Sequence, residues 1–284
     1  MEYEGNQPQD LAKYECLLFD IDDTLYPTSS GLSQHVKNNI EEYMIQKLGI
    51  EESKVSELCV SLYKYYGTTL AGLRAIGYKF DYDDFHSFVH GRLPYDILKP
   101  DPVLRNLLHS VAVRKVIFTN ADKNHAARVL DRLGLEDCFE GVICFETLNN
   151  PNKGNDRPKK DENAVFDINE YSAASDADAD IALPKSPVVC KPFEEAFDEV
   201  FKIASINPQR TLFFDDSIRN LQTGKRMGLN TVWIGSSHRI EGVDYALESI
   251  HNIKEALPEL WEANEKSADA RYSGKVAIET SVRA

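Results

Sequence analysis

Cys16-Leu17-Leu18-Phe19-Asp20-Ile21-Asp22-Asp23-Thr24-Leu25-Tyr26 is the stretch on which the rest of the chain is organised. An apolar run bounded by a polar turn predicts a strand buried on both faces of a parallel sheet. Asp20, Asp22 and Asp23 follow where that strand ends. Like charges this close repel and shift one another's pKa, so the cluster makes physical sense with a cation among them, and a hard divalent ion of the Mg2+ kind suits carboxylate oxygens. The competing expectation is an acidic turn or a helix N-cap run. An Asp directly on the strand end favours the functional one.

After this strand the apolar spacing turns helical. Leu32, Val36, Ile40, Met44 and Leu48 recur every four residues, with Ser29 or Ser30 expected as N-cap and Gly49 as the stop. Further helices are predicted through Val55 to Tyr66, from Thr69 to Gly77, and after Asp81 through Val89. Residues 27–100 therefore read as a helical cap domain inserted after the first strand, with 14–26 and 101–261 forming the core.

From Pro102 helix and strand alternate, which predicts an α/β fold with a doubly wound, Rossmann-like parallel sheet. Strands are expected at Val113–Phe118, Gly141–Phe145, Pro187–Lys191, Thr211–Asp216 and Thr231–Ile234. Residues 149–186 are rich in Asn, Lys, Asp, Ala and Pro, and are expected to be a mobile surface excursion. The tail, 262–284, is expected to be disordered.

Asp20, Asp22, Thr119, Lys191, Asp215 and Asp216 all fall at or just beyond predicted strand ends, the edge where open α/β sheets place ligands. Phosphoryl transfer needs a nucleophile in line with phosphorus, a metal to neutralise charge, and donors around the equatorial oxygens. Asp20 is the candidate nucleophile, forming an aspartyl phosphate, and Asp22 the candidate acid and base. Asp216 would complete an oxygen cage with the Asp20 carboxylate and the Asp22 carbonyl, Asp215 supporting it. Thr119 and Lys191 would grip the phosphate, with Asn120 beside them.

Composition narrows the partners. The chain has 284 residues and a net charge of −14, which argues against a nucleic-acid or anionic-membrane surface and leaves a small anionic substrate open if the site is locally positive. Cys16, Cys59, Cys138, Cys144 and Cys190 lack metal-ligand spacing and read as reduced, mostly buried thiols of a cytoplasmic protein. The acidic, polar start is not expected to be a signal or transit peptide, and no apolar run is long enough to span a bilayer. Oligomeric state is not legible.

Asp20-Ile21-Asp22-Asp23-Thr24, Thr119-Asn120, Lys191-Pro192 and Phe213-Phe214-Asp215-Asp216 resemble, in order, the four motifs of the haloacid dehalogenase-like (HAD) phosphohydrolases. The resemblance covers roughly residues 14–240, puts the helical insert in the position of that family's C1 cap, and implies the roles just assigned, Mg2+ included. Asn220 stands where many members carry a second acid.

Tyr66-Gly67-Thr68-Thr69, Gly72-Leu73-Arg74 and the stretch from Leu93 to Asp101 look like the pyrimidine 5'-nucleotidase-like branch, plant xanthosine monophosphate phosphatases included. That implies a nucleoside monophosphate as substrate, a purine favoured, with Tyr66, Thr69, Arg74 and Arg92 as candidate cap contacts. Rival expectations are a pyrimidine nucleotide or phosphosugar phosphatase, a phosphosugar mutase, a haloalkanoate dehalogenase, which has no use for Asp22, and a receiver-like phospho-Asp signalling module.

Overall fold

Along Cys16–Phe19 (β1), Cys16 and Leu18 pack on one side with Val116, Phe118 and Phe213, while Leu17 and Phe19 pack on the other with Ile117, Leu212 and Phe214. A strand apolar on both faces has to lie inside a sheet covered by helices on both sides. In the computed structural model, which describes residues 13–150 and 183–261, it does. Arg114–Phe118 (β2), Gly141–Ile143 (β3), Thr211–Asp215 (β4), Asn230–Ile234 (β5) and Tyr245–Leu247 (β6) join β1 in a six-stranded sheet of order β3-β2-β1-β4-β5-β6. All its pairings are parallel, and β1 is flanked by β2 and β4.

Helices Pro102–Ser110 (α5) and Lys123–Leu133 (α6) cover the Leu17 face, and Glu194–Ile203 (α8) and Ile218–Arg226 (α9) the Leu18 face. This is an α/β, Rossmann-like core wound on both faces. The register matters for the site: Phe19 lies level with Ile117 on one side and Phe214 on the other, so the next residues, Asp20 and Asp215, end adjacent strands together. The Asp20 N–H still donates to Phe214 O at 2.9 Å, which fixes its backbone as a last rung of the sheet.

Between β1 and α5 the chain forms Leu32–Gln46 (α1), Glu52–Tyr66 (α2), Thr69–Ala75 (α3) and Tyr82–Val89 (α4). These four share an apolar core of their own that includes Tyr43, Leu58, Leu62, Leu73 and Phe85, and it reaches Phe145, Val188 and Cys190 of the α/β part. Asp81 caps α4 by accepting from Asp84 N, and Thr68 caps α3 by accepting from Ala71 N.

Some local expectations are corrected. The residue at the N-cap of α1 is Gly31, at φ +80°, rather than Ser29 or Ser30; Ser30 Oγ accepts from Leu32 N at 3.2 Å. β3 stops at Ile143, because Phe145–Leu148 (α7) turns helical. Pro187–Lys191 is not a strand. Val188, Val189 and Cys190 are buried as a strand's residues would be, but two asparagines satisfy the backbone instead of a ladder. Asn149 accepts from Val189 N and donates to Val189 O, and Asn120 does the same for Lys191. Apart from 149, 150 and 183–186, the expected excursion lies outside the described residues, as does the tail from 262.

Candidate active site

Asp20, Asp215 and Asp216 come together at the C-terminal edge of β1 and β4, each offering a carboxylate oxygen within 4.8 Å of the others. Lys191 reaches into this cluster from the asparagine-held segment and is 1% exposed. Its ammonium donates to Asp20 Oδ1 at 2.8 Å, Asp215 Oδ2 at 2.7 Å and Phe118 O at 2.8 Å, so all three N–H bonds are matched. Burial opposes a charged lysine, yet the Asp20 and Asp215 carboxylates hold its pKa above the ordinary value. In this arrangement Lys191 orients the Asp20 carboxylate and offsets its charge.

Asp215 is wholly buried and fully engaged, accepting from Ser217 N at 2.8 Å and from Asn220 Nδ2 at 3.0 and 3.1 Å besides Lys191. Asn220 therefore braces Asp215. Among the described residues the Asp216 carboxylate has no such bracket, while its carbonyl accepts from Trp233 Nε1 at 2.9 Å. Burial, then the Asp215 and Asp20 charges, push the Asp216 carboxyl far above the carboxylate range, and burial raises Asp20 as well despite Lys191. One ammonium among three carboxylates leaves a deficit of positive charge, and the donors are all hard oxygens. The residues present fit a hard divalent cation such as Mg2+, with Asp20 and Asp216 as its carboxylate ligands and Asp215 behind them.

Asp22 lies two residues past Asp20, and the two line one cavity. Its Oδ1 accepts from Tyr26 O–H at 2.5 Å and from His125 Nε2 at 2.7 Å. Burial alone would raise this group, but the His125 charge and the hydrogen bonds from His125 and Tyr26 outweigh it and bring Asp22 to about 2. His125, on α6, is pushed above the ordinary histidine value by Asp22 in spite of its burial. Neither partner is legible from local sequence, although the Asp122 that caps α6, accepting from Asn124 N and His125 N, fits a helix-start pattern.

Thr119 is 1% exposed at the end of β2; its N–H donates to Ile143 O and its Oγ1 accepts from Ala121 N at 3.0 Å. Asn120 differs from expectation, since both polar atoms of its side chain are committed to the Lys191 backbone. It positions Lys191.

These groups form the floor of a cavity of about 350 Å3 roofed by the inserted helices. Val36, Ile40, Tyr63, Thr69, Phe85, His86 and Val89 supply the roof. Of the four insert residues singled out from sequence, Thr69 lines this cavity, and the other three are held elsewhere. Tyr66 O–H donates to Pro184 O, Arg92 pairs with Glu42 at 2.7 Å over the Phe88 ring, and Arg74 donates to Tyr78 O while its guanidinium lies over Phe80 and Tyr82. Arginine stacks readily on aromatic faces, and Phe80 and Tyr82, six and eight residues on, hold Arg74.

Residues 14–162, just over half of the chain, match the family model of the haloacid dehalogenase-like hydrolases. The chain belongs to that family. Among individual relatives it is 28% identical over 242 residues to phosphate metabolism protein 8 of Saccharomyces cerevisiae, an alignment that spans 82% of this chain and 64% of the yeast protein. Among solved structures it resembles CbbY from Rhodobacter sphaeroides in complex with phosphate (TM-score 0.51, 15% identity, 87% of this chain and 99% of that one). A second is the HAD-hydrolase YfnB from Bacillus subtilis bound to magnesium (TM-score 0.48, 17% identity, 85% and 97%). Among the described residues no helix is long and apolar enough to cross a membrane.

Proposed function

We propose that the chain is a Mg2+-dependent phosphomonoesterase that works through an aspartyl phosphate on Asp20, with a nucleoside 5'-monophosphate as substrate. The observation that carries this is the buried Lys191 ammonium bonded at once to Asp20 and Asp215, next to Asp216, at the floor of a roofed cavity. That arrangement orients the Asp20 carboxylate as a nucleophile and leaves Asp216 beside it to a cation.

In the first half-reaction an Asp20 oxygen bonds to phosphorus as the bond to the leaving oxygen breaks, and that oxygen takes the proton shared by the hydrogen-bonded Asp22–His125 pair, delivered through Asp22. In the second, water attacks the phosphorus, the bond to Asp20 breaks, and Asp22 takes the water proton. Asp22 held as a carboxylate by Tyr26 and His125 is the form needed for this second step. Thr119, accepting from Ala121 N, keeps its hydroxyl proton for a phosphate oxygen. A Mg2+ held by Asp20 and Asp216, with the Asp22 carbonyl, would neutralise charge on the phosphoryl group.

The nucleotide part rests on the roof. Tyr63 and Phe85 with aliphatic Val36, Ile40 and Val89 offer an apolar enclosure to a flat group beyond the phosphate, in a volume within the usual range for small-ligand sites. The motif from Tyr66 to Thr69 supports the nucleotidase branch, with xanthosine monophosphate and other purine nucleotides as first candidates. The helical insert is proposed as the cap that closes over them, and the cytoplasm as the compartment.

Phosphate release should be measured over the nucleoside monophosphates, a set of phosphosugars and a small aryl phosphate, with Mg2+ and with excess chelator. Nucleotides should lead, activity should vanish with the chelator and return with Mg2+, and Asp20→Asn should fold normally and lose turnover. Full activity in chelator, or a tenth of wild-type turnover left in Asp20→Asn, would overturn the mechanism; preference for phosphosugars would overturn the substrate.

A further inference from the structure

A second cavity of about 310 Å3, sharing His86 and His90 with the first, opens at the seam between the insert and the α/β part. His86, His90, Asp122 and Glu146 line it. His86 lies in α4 and His90 is that helix's C-cap, so the two rings are one turn apart on the same face. Asp122 approaches from the core at the N-cap of α6. His90 Nδ1 is 2.5 Å and His86 Nδ1 3.6 Å from the same oxygen, Asp122 Oδ2. The three residues each offer a ligand atom within 4.8 Å of the others.

Two observations separate this cluster from an ordinary buried ion pair. His86 is 8% exposed, and neither of its ring nitrogens has a hydrogen-bond partner among the described residues. Leaving a buried polar group unmatched is costly, and a metal ion would satisfy it. The other carboxylate oxygen, Asp122 Oδ1, is already held by Asn124 N at 2.9 Å and His125 N at 3.1 Å. Backbone hydrogen bonds of this kind aim a carboxylate at its metal, leaving Oδ2 toward the histidines.

We propose that His86, His90 and Asp122 form a second metal site, distinct from the carboxylate cluster, that takes a borderline transition ion such as Zn2+ and clamps α4 of the insert to α6 of the core. Two imidazoles and one carboxylate are the donor set such ions favour over Mg2+, and three protein ligands leave a position open to the cavity. Binding requires His90 to carry its proton on Nε2, because Nδ1 gives up its hydrogen bond to Asp122 for the ion. The clamp bears on catalysis through neighbours: Asp122 caps the helix that carries His125, and the His90 and His125 rings are 4.4 Å apart. This site stands independently of the proposed substrate.

The test is a titration of the full metal-free chain with Zn2+ against a chromophoric chelator, in saturating Mg2+ so that the carboxylate cluster is occupied. A single Zn2+ per chain is expected, with a rise of several degrees in the unfolding midpoint. His86→Ala should weaken Zn2+ binding by at least about tenfold. His109→Ala, in the more exposed cluster of His109, Asp137 and Cys138, should leave it unchanged. Absence of Zn2+ binding, or equal affinity in His86→Ala, would overturn the proposal. Co2+ substitution of the wild-type protein gives an answer should His86→Ala not fold. Visible bands without thiolate charge transfer support the His-His-Asp site, whereas thiolate charge transfer assigns the ion to Cys138 and overturns it.

Discussion

His125 Nε2 lies 2.7 Å from Asp22 Oδ1, with the imidazole completely enclosed and its other nitrogen 2.8 Å from the Tyr95 hydroxyl. The ring is therefore gripped at both ends, and the proposed acid and base depends on it for both orientation and charge. His125→Gln keeps a donor near Asp22 but removes the exchangeable charge.

The expected result for His125→Gln is a fall in kcat on a small aryl phosphate of about ten- to a hundredfold, with KM changed little. Steady-state kinetics on the purified variant check this. A kcat equal to wild type would show that Asp22 works without His125.

Asn120 and Asn149 each make a two-bond bracket on the segment that ends at Lys191, but only Asn120 holds the Lys191 peptide itself. Asn120→Ala and Asn149→Ala should each lower stability by roughly 1–3 kcal/mol, which urea unfolding will report. The two should part in turnover, Asn120→Ala losing much more kcat. Equal losses would mean that general loosening, rather than placement of Lys191, limits the reaction.

Arg74 carries the next expectation. Since its guanidinium is bonded to Tyr78 O and stacked on Phe80 and Tyr82, Arg74→Ala should cost about 0.5–2 kcal/mol of stability. Nucleotide and aryl phosphate kcat/KM should then change together. A selective loss on the nucleotide, compared side by side on one preparation, would restore Arg74 as a substrate contact.

Gly67 follows α2 at φ +80°, and a Cβ there would stand 2.2 Å from Lys191 O and 2.5 Å from Pro192 Cδ. Gly67→Ala combines backbone strain with a clash against main chain, and it should destabilise by roughly 1–3 kcal/mol and depress kcat with it. Wild-type unfolding midpoint and turnover in this variant would show that the insert does not seat against Lys191 as described.

The α/β core was legible because its signals are local: apolar runs of strand length, glycine stops, and acids placed directly after the runs. Asp20, Asp215 and Asp216 could be brought to one edge from that pattern, since parallel register follows from burial on both faces. Lys191 was placed correctly on that edge for a reason that was not the right one. Pro187–Lys191 has a strand's burial without a strand's ladder, and the difference lies in two asparagine side chains from distant turns. Tyr26 and His125 as partners of Asp22 depend on tertiary approach across 103 residues in the case of His125, which no periodicity encodes. For Arg74 the motif-based expectation leaves out aromatic rings close by in the same helical insert, on which its guanidinium lies.

Fastening Lys191 by asparagine brackets has a consequence for how this chain can change over generations. A lysine carried by a strand inherits its position from the ladder, so an inserted or deleted residue upstream slips every rung and turns the side chain to the opposite face. Here Asn149 grips the backbone at Val189 and Asn120 grips it at Lys191, independently of the count of residues before them. An insertion or deletion between Asn149 and Val189 leaves both brackets acting on the same two peptides, so the place of the ammonium group on Asp20 is set by two side chains rather than by a residue count.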